Sequence, residues 1–235
     1  SSDLCVIDDW LMGLTHVIRA EEHLSNTPKQ MMIYRALPAP MPKFAHVPMI
    51  LAPDRSKLSK RHGAQTVEEF KDQGIFPEAL LNYLVLLGWT PADSTKEIMS
   101  LDEMIEEFDL SRVSITSAVY DTTKMMWMNG YYLRMLDKDS LVRKYISAAS
   151  ASGLATRDEL ADKKDWLGKV VLAFQERSKT INEMVEMSRY FFAAPIEYDE
   201  AGARKFFTKD SVAGLLRKGA AALEAVEDWN LETEE

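Results

Sequence analysis

Apolar positions change rhythm along this chain, in short runs and alternations up to residue 52 and at three- and four-residue spacing from 65 onward. The run Leu4-Cys5-Val6-Ile7 reads as a short strand. Leu14, His16 and Ile18 then alternate with Thr15, Val17 and Arg19, the two-residue period of a half-buried strand. Arg19 falls at or near the C-terminal end of that strand, where open parallel α/β sheets bind ligands. Thr27-Pro28 predicts an N-cap followed by proline at the first helical position, with a helix running to about Leu37 and stopping before Pro38. Residues 44–52 form another apolar segment, which ends in the loop signal Ala52-Pro53-Asp54.

The second rhythm is helical. Thr66-Val67-Glu68-Glu69 and Ser100-Leu101-Asp102-Glu103 each fit a capping box, and Gly74 is a natural stop for the first of these helices. Pro77 to Gly88 predicts a strongly apolar, buried helix, and 121–129 a further one ended by Asn129-Gly130. Beyond 137 the spacing predicts three or four amphipathic helices, with breaks at Ala151-Ser152-Gly153 and Ala194-Pro195. Trp89, Trp127 and Trp166 stand at helical spacing from apolar neighbours and are expected in the core. One boundary near 52 thus separates α/β from all-α character, and a softer one falls near 136.

Composition narrows the classes. The 235 residues are 46% hydrophobic, which suits a globular core. No uninterrupted apolar run approaches the roughly 20 residues that span a bilayer, so no membrane partner is expected. One cysteine, Cys5, rules out an internal disulfide and a cysteine-rich zinc site; in its apolar run it is expected to be small and buried. Asp8-Asp9 would point to opposite faces of a strand, so a turn or cap role is expected in place of joint chelation. A net charge of −9 argues against generic nucleic-acid affinity. Local clusters at 55–61, Arg143-Lys144, Lys163-Lys164, Arg204-Lys205 and Arg217-Lys218 still leave basic faces, whereas 224–235 carries six carboxylates and no cation.

The densest chemistry lies in Lys57-Leu58-Ser59-Lys60-Arg61-His62-Gly63-Ala64. Arg55, Lys57, Lys60 and Arg61 put four cations within seven positions, beside a hydroxyl and a glycine. Such a loop can neutralise a polyphosphate and hydrogen-bond its oxygens; the alternative is a solvated basic surface loop. Lys57 to Arg61 resembles the K-M-S-K-S signature of class I aminoacyl-tRNA synthetases, and the following Arg-His-Gly-Ala is typical of bacterial-type glutamyl-tRNA synthetases. Flanking blocks resemble the same family in order: Ile7-Asp8-Asp9 with Leu14 to Leu24, Asn26 to Gln30, and Pro77 to Leu84 with Leu87-Gly88-Trp89. The resemblance is close to continuous over 5–135 and thins beyond.

The resemblance implies an α/β Rossmann-type catalytic remnant (1–52), a helical stem-contact domain beginning with the signature loop (53–136), and the start of a helical anticodon-binding region (137–235). It implies a glutamate–tRNA ligase, an ATP-dependent enzyme that forms glutamyl-adenylate and transfers glutamate to the 3′ end of tRNA-Glu. ATP with Mg2+ and L-glutamate are then substrates, no metal site is evident in the chain itself, and a monomer is expected, cytoplasmic with an organellar location as the alternative. By the same likeness Lys60 and Lys57 are the catalytic cations, within an ATP-binding loop Lys57, Leu58, Ser59, Lys60 and Arg61. Arg19 is placed as the arginine that binds the substrate amino acid, and His23 lies near it. The alternatives are a salt bridge from Arg19 to Glu21 or Glu22, a packed surface histidine at 23, and general electrostatic context for Lys57, Arg55 and Arg61. The family's H-x-G-H-type motif has no counterpart among His16, His23, His46 and His62. The chain therefore reads as a fragment, inactive alone. The rival is a non-catalytic tRNA-binding or protein-interaction module that keeps the synthetase fold.

Overall fold

The computed structural model describes residues 2–59, 65–194, 198–208 and 211–226. They form two compact units, 1–188 and 189–235.

The first unit opens with helix α1 (Ser2–Leu11), not the strand expected for Leu4 to Ile7. A four-residue apolar run does not distinguish the two. Here Val6 is buried while Leu4 and Leu11 are exposed, because only one stripe of the helix packs on α2. Cys5, about 100° around the helix from Val6, faces water and is not the buried residue expected. Asp8 and Asp9 sit in the same helix, and their carbonyls close it. Gly13 at φ 69° lets Leu14 N–H reach Asp9 O at 2.9 Å and Gly13 N–H reach Trp10 O at 3.0 Å, a Schellman ending.

Strand β1 (His16–Ala20), a 3-10 turn (Glu21–Asn26), helix α2 (Thr27–Ala36) and strand β2 (Lys43–Val47) make a small piece of α/β structure. The strands are parallel, pairing His16 with Lys43 through Ala20 with Val47. Helix α2 ends before Pro38 as expected, but its cap position is Asn26, and Thr27 is the first helical residue. The Thr27 hydroxyl is committed sideways and caps nothing.

Helices α3 (Val67–Asp72), α4 (Pro77–Gly88), α5 (Leu101–Glu107) and α6 (Thr122–Arg134) follow. Both expected capping boxes are formed, Thr66 with Glu69 and Ser100 with Glu103. Phe70, Leu80, Tyr83, Tyr120, Met125 and Met128 build a core shared by α3, α4 and α6, while Met104 of α5 packs with Trp89 and Met99. Helix α6 does not stop at Asn129-Gly130. Asn129 is fully buried, and its amide staples two backbone segments, 74–76 and the one at Lys179. Its Oδ1 accepts from Phe76 N–H at 2.7 Å, while Nδ2 donates to Gly74 O at 3.2 Å and Lys179 O at 2.6 Å. A Cβ on Gly130 would meet Lys179 Cα at 3.5 Å, ordinary contact, so the helix runs through this glycine without needing it for space.

Helices α7 (Lys138–Ala151), α8 (Arg157–Ala161), α9 (Lys164–Gln175) and α10 (Ile181–Met187) complete the unit. The break near 151–153 is present. With α11 (Glu200–Phe207) and α12 (Val212–Glu224) of the second unit, the described residues beyond 137 hold six helices, more than the three or four expected. Extra caps at Thr156 and Thr180 cut the pattern into shorter pieces. The break expected at Ala194-Pro195 lies partly outside the described residues. Trp89 is buried, as expected, and donates to Asp109 O. Trp127 and Trp166 are substantially exposed: the inward stripes are Met125, Met128, Asn129 and Leu133 on α6, and Leu167, Val170, Val171 and Phe174 on α9. Among the described residues no helix is long and apolar enough to cross a membrane.

Candidate functional site

The parallel register sets Arg19 opposite His46 near the C-terminal ends of β1 and β2, so both side chains leave the same face of the sheet. Thr27 meets them from the first turn of α2. Arg19 Nη2 donates to Thr27 Oγ1 at 2.7 Å, and Arg19 Nε donates to His46 Nε2 at 3.4 Å. Thr27 Oγ1 lies 2.9 Å from His46 Nε2 and 3.3 Å from His23 O. Burial first, then the charge of Arg19 and the proximity of His23, hold the His46 pKa below its ordinary value. A neutral ring with Nε2 as acceptor satisfies both neighbours.

The guanidinium also lies over the Phe44 ring, 5.5 Å from its centroid, and Phe44 meets Tyr34 edge-on at 6.5 Å. The Tyr34 hydroxyl is buried with no hydrogen-bond partner among the described residues. Burial, and secondarily the charge of Asp9, raise its pKa.

The root of the cationic loop is firmly built. Leu51 pairs with Val119 on one side and with Lys57 on the other. Its N–H donates to Ala118 O at 2.8 Å, and its carbonyl accepts from Tyr120 N–H at 2.8 Å. A tight turn follows, with Arg55 N–H on Ala52 O and Ser56 N–H and Oγ on Asp54 Oδ1. Arg55 has φ 65°, the left-handed region, at the tip of this turn. Leu58 turns inward against the helical core. Lys57 points the other way, its Nζ 2.5 Å from Glu22 Oε2. That contact holds the Glu22 carboxyl below the usual carboxylate range.

The structure therefore ties Lys57 to the turn that follows Arg19, through Glu22. Arg19 itself makes no ion pair with Glu21 or Glu22 among the described residues: Glu21 accepts from Met49 N–H at 3.2 Å, and Glu22 is taken by Lys57. His23 is exposed, 3.8 Å from Glu22 Oε1, with Nδ1 3.5 Å from Asn26 Nδ2. Ser59 is half-buried at the last described position before the loop tip. Lys60 and Arg61 lie outside the described residues. His16 opens β1 and Thr15 lies just before it, at the opposite end of the strand from Arg19.

Sequence reasoning missed Thr27 as a lateral partner, His46, Phe44 and the role of Glu22. A Thr-Pro pair at a helix start disguised Thr27 as a cap, and nothing short of the strand register could reveal His46. Among the described residues no three His, Cys, Asp or Glu side chains stand close enough to hold a metal ion. A groove of about 950 Å3, lined by Phe70, Ile75, Leu80, Lys144, Ala148 and Val185, is mainly apolar and includes none of the residues above.

A family model for tRNA synthetases class I (E and Q), catalytic domain, matches residues 3–127, and one for an anticodon binding domain matches 140–235. The chain belongs to the class I tRNA synthetases of the E and Q group. It is 48% identical over 230 residues to glutamate–tRNA ligase 1 of Caldanaerobacter subterraneus subsp. tengcongensis, covering 98% of this chain and 47% of that protein. Glutamate–tRNA ligase of Moorella thermoacetica is 48% identical over 231 residues, with the same coverage. The chain thus spans about half the length of the curated relatives it matches. A crystal structure of a glutamate tRNA ligase from Elizabethkingia meningosepticum, in complex with its amino acid, superposes with a TM-score of 0.74 at 30% identity, over 95% of this chain and 46% of that one. The α/β piece with its parallel strand pair is accordingly a Rossmann-type remnant, followed by mainly helical structure.

Proposed function

We propose that this chain supplies the amino-acid-binding strand end and the ATP loop of a glutamate–tRNA ligase. The observation that carries this reading is the Glu22–Lys57 tie, which sets the first lysine of the loop beside the turn leading from Arg19. A carboxylate of glutamate docks on the Arg19 guanidinium, a planar donor matched to it, with His23 at the rim. The glutamate α-carboxylate oxygen attacks the ATP α-phosphorus, a P–O bond forms, the bond to the bridging oxygen breaks, and pyrophosphate leaves. Lys57 and Lys60 stabilise the charge that gathers on the phosphoryl and pyrophosphate oxygens, with Leu58, Ser59 and Arg61 completing the ATP loop. Mg2+ enters with ATP as part of the substrate. The tRNA 3′-terminal hydroxyl then attacks the adenylate carbonyl and releases AMP.

In this reading 1–52 belongs to the catalytic domain, 53–136 contacts the acceptor stem and 137–235 begins the anticodon-binding region of a monomeric, cytoplasmic enzyme that binds tRNA-Glu. Family relationship, the anticodon-domain match and the loop's cations support it. The test is ATP–pyrophosphate exchange with the full-length protein and with residues 1–235 alone. Exchange dependent on glutamate is expected from the first and none from the second. Absence of exchange from the full-length protein with tRNA present would sink the proposal.

A further inference from the structure

We propose that Thr27 and a neutral His46 are positioning residues that occupy one edge of the Arg19 guanidinium, so that only its far end reads the substrate carboxylate. This rests on the reading of Arg19 as a glutamate-binding residue.

A guanidinium has five N–H donors and two edges that fit a carboxylate: the side edge, Nε with Nη2, and the end, Nη1 with Nη2. Here the side edge is taken. Nε points to His46 Nε2 and one Nη2 hydrogen to Thr27 Oγ1. No partner meets Nη1 among the described residues, so the end keeps one hydrogen on each terminal nitrogen. Phe44 covers a face of the same group. Side-on docking would have to break two contacts, whereas end-on docking breaks none.

The proton count fixes the state of the ring. Arg19 Nε can only donate, so His46 Nε2 must accept, and the ring proton belongs on Nδ1. Thr27 has one proton and receives Arg19 Nη2–H on its oxygen. That proton can go to His23 O at 3.3 Å or to His46 Nε2 at 2.9 Å; on the shorter contact the single Nε2 lone pair is shared between Thr27 Oγ1–H and the longer Arg19 Nε–H contact at 3.4 Å. A second proton on the ring would put a donor against two donors and turn the guanidinium loose. Thr27 is buried and helical, and β2 fixes His46 by register, so the pair is rigid enough to aim a long side chain.

The experiment pairs kinetics of the full-length protein with NMR on residues 1–235. Thr27→Val and His46→Phe should each raise KM for glutamate about tenfold, the size of a lost bond to a charged group, with KM for ATP and Tm little changed. Thr27→Ser should restore the wild-type value, which a merely space-filling role would not require. Long-range proton–nitrogen spectra at neutral pH should show His46 protonated on Nδ1 and bare on Nε2. Arg19→Lys separates the two levels. If it raises the glutamate KM while Thr27→Val and His46→Phe do not, the positioning idea fails and the reading of Arg19 stands. If Arg19→Lys leaves glutamate KM unchanged, both fall. A proton on His46 Nε2 overturns the arrangement whatever the kinetics.

Discussion

Two polar clusters of this molecule invite comparison, one around Arg19 and the other around Asn129. Each joins segments far apart in sequence through a few side-chain hydrogen bonds. Asn129 spends both amide hydrogens on carbonyls and its oxygen on Phe76 N–H. Nearby, Gln175 Nε2 reaches Leu133 O, Arg134 O and Leu136 O, all at 3.0–3.1 Å. The amide hydrogens of both residues are taken, and their partners are backbone. Arg19 spends two of its five donors, both on side chains, and keeps an end open. A saturated buried cluster holds a fold together; one with donors left over on a strand's C-terminal end is equipped to meet something else.

The sharpest way to break that contrast is Asn129→Ala. It strands Phe76 N–H and two carbonyls in a dry interior, and should lower unfolding free energy by about 3 kcal/mol in denaturant titration. A loss under about 1 kcal/mol would mean that water replaces the amide and that the cluster does not hold the fold together. Next comes Arg19→Lys. It keeps the charge and loses the fork, so the full-length protein should lose about 10- to 100-fold in kcat/KM for glutamate. The midpoint of unfolding should hardly move; a large drop would place Arg19 with Asn129 among structural residues.

Glu22→Gln sharpens the comparison at the loop. Removing the carboxylate frees Lys57 for phosphate, and KM for ATP should fall by about twofold, as befits an exposed pair. The pH response has a definite sign. The folded-state pKa of Glu22 is depressed, so the pair's contribution is present above the ordinary carboxylate pKa and is lost as pH falls through the lowered value. Acid titration of wild type against Glu22→Gln should therefore converge at the low end. The smallest effect belongs to Tyr34→Phe. Its hydroxyl is buried without a partner, so deleting it should leave stability within about 0.5 kcal/mol of wild type. A large loss would reveal a bond to that oxygen.

The helical body was legible because its signals are local. Thr66, Ser100 and Pro77 each announce a helix start within four residues, and the structure uses all three. Reading failed where tertiary contacts overrode a local sign. Asn129-Gly130 looks like a helix end, yet the amide is recruited by segments more than fifty residues before and fifty after it. Leu4 to Ile7 looks like a strand because four apolar residues contain less than two turns of helical period. Lys57 and Arg19 stand out in sequence by charge and motif. Their partners do not: Thr27, His46 and Glu22 acquire meaning only when β1 and β2 pair and the loop folds back.

The double pairing of Leu51 has a mechanical consequence. One residue is the middle rung of a ladder whose outer rungs are Val119, just ahead of α6, and Lys57, the first cation of the loop. The helix cannot slide or pivot at its leading end without either snapping the Tyr120–Leu51 bond or dragging Leu51, and with it the lysine, along. Leu51 therefore acts as an axle. Between the strand-like lead-in of α6 and Lys57 stands only Leu51, so the path from helix to loop is one residue wide.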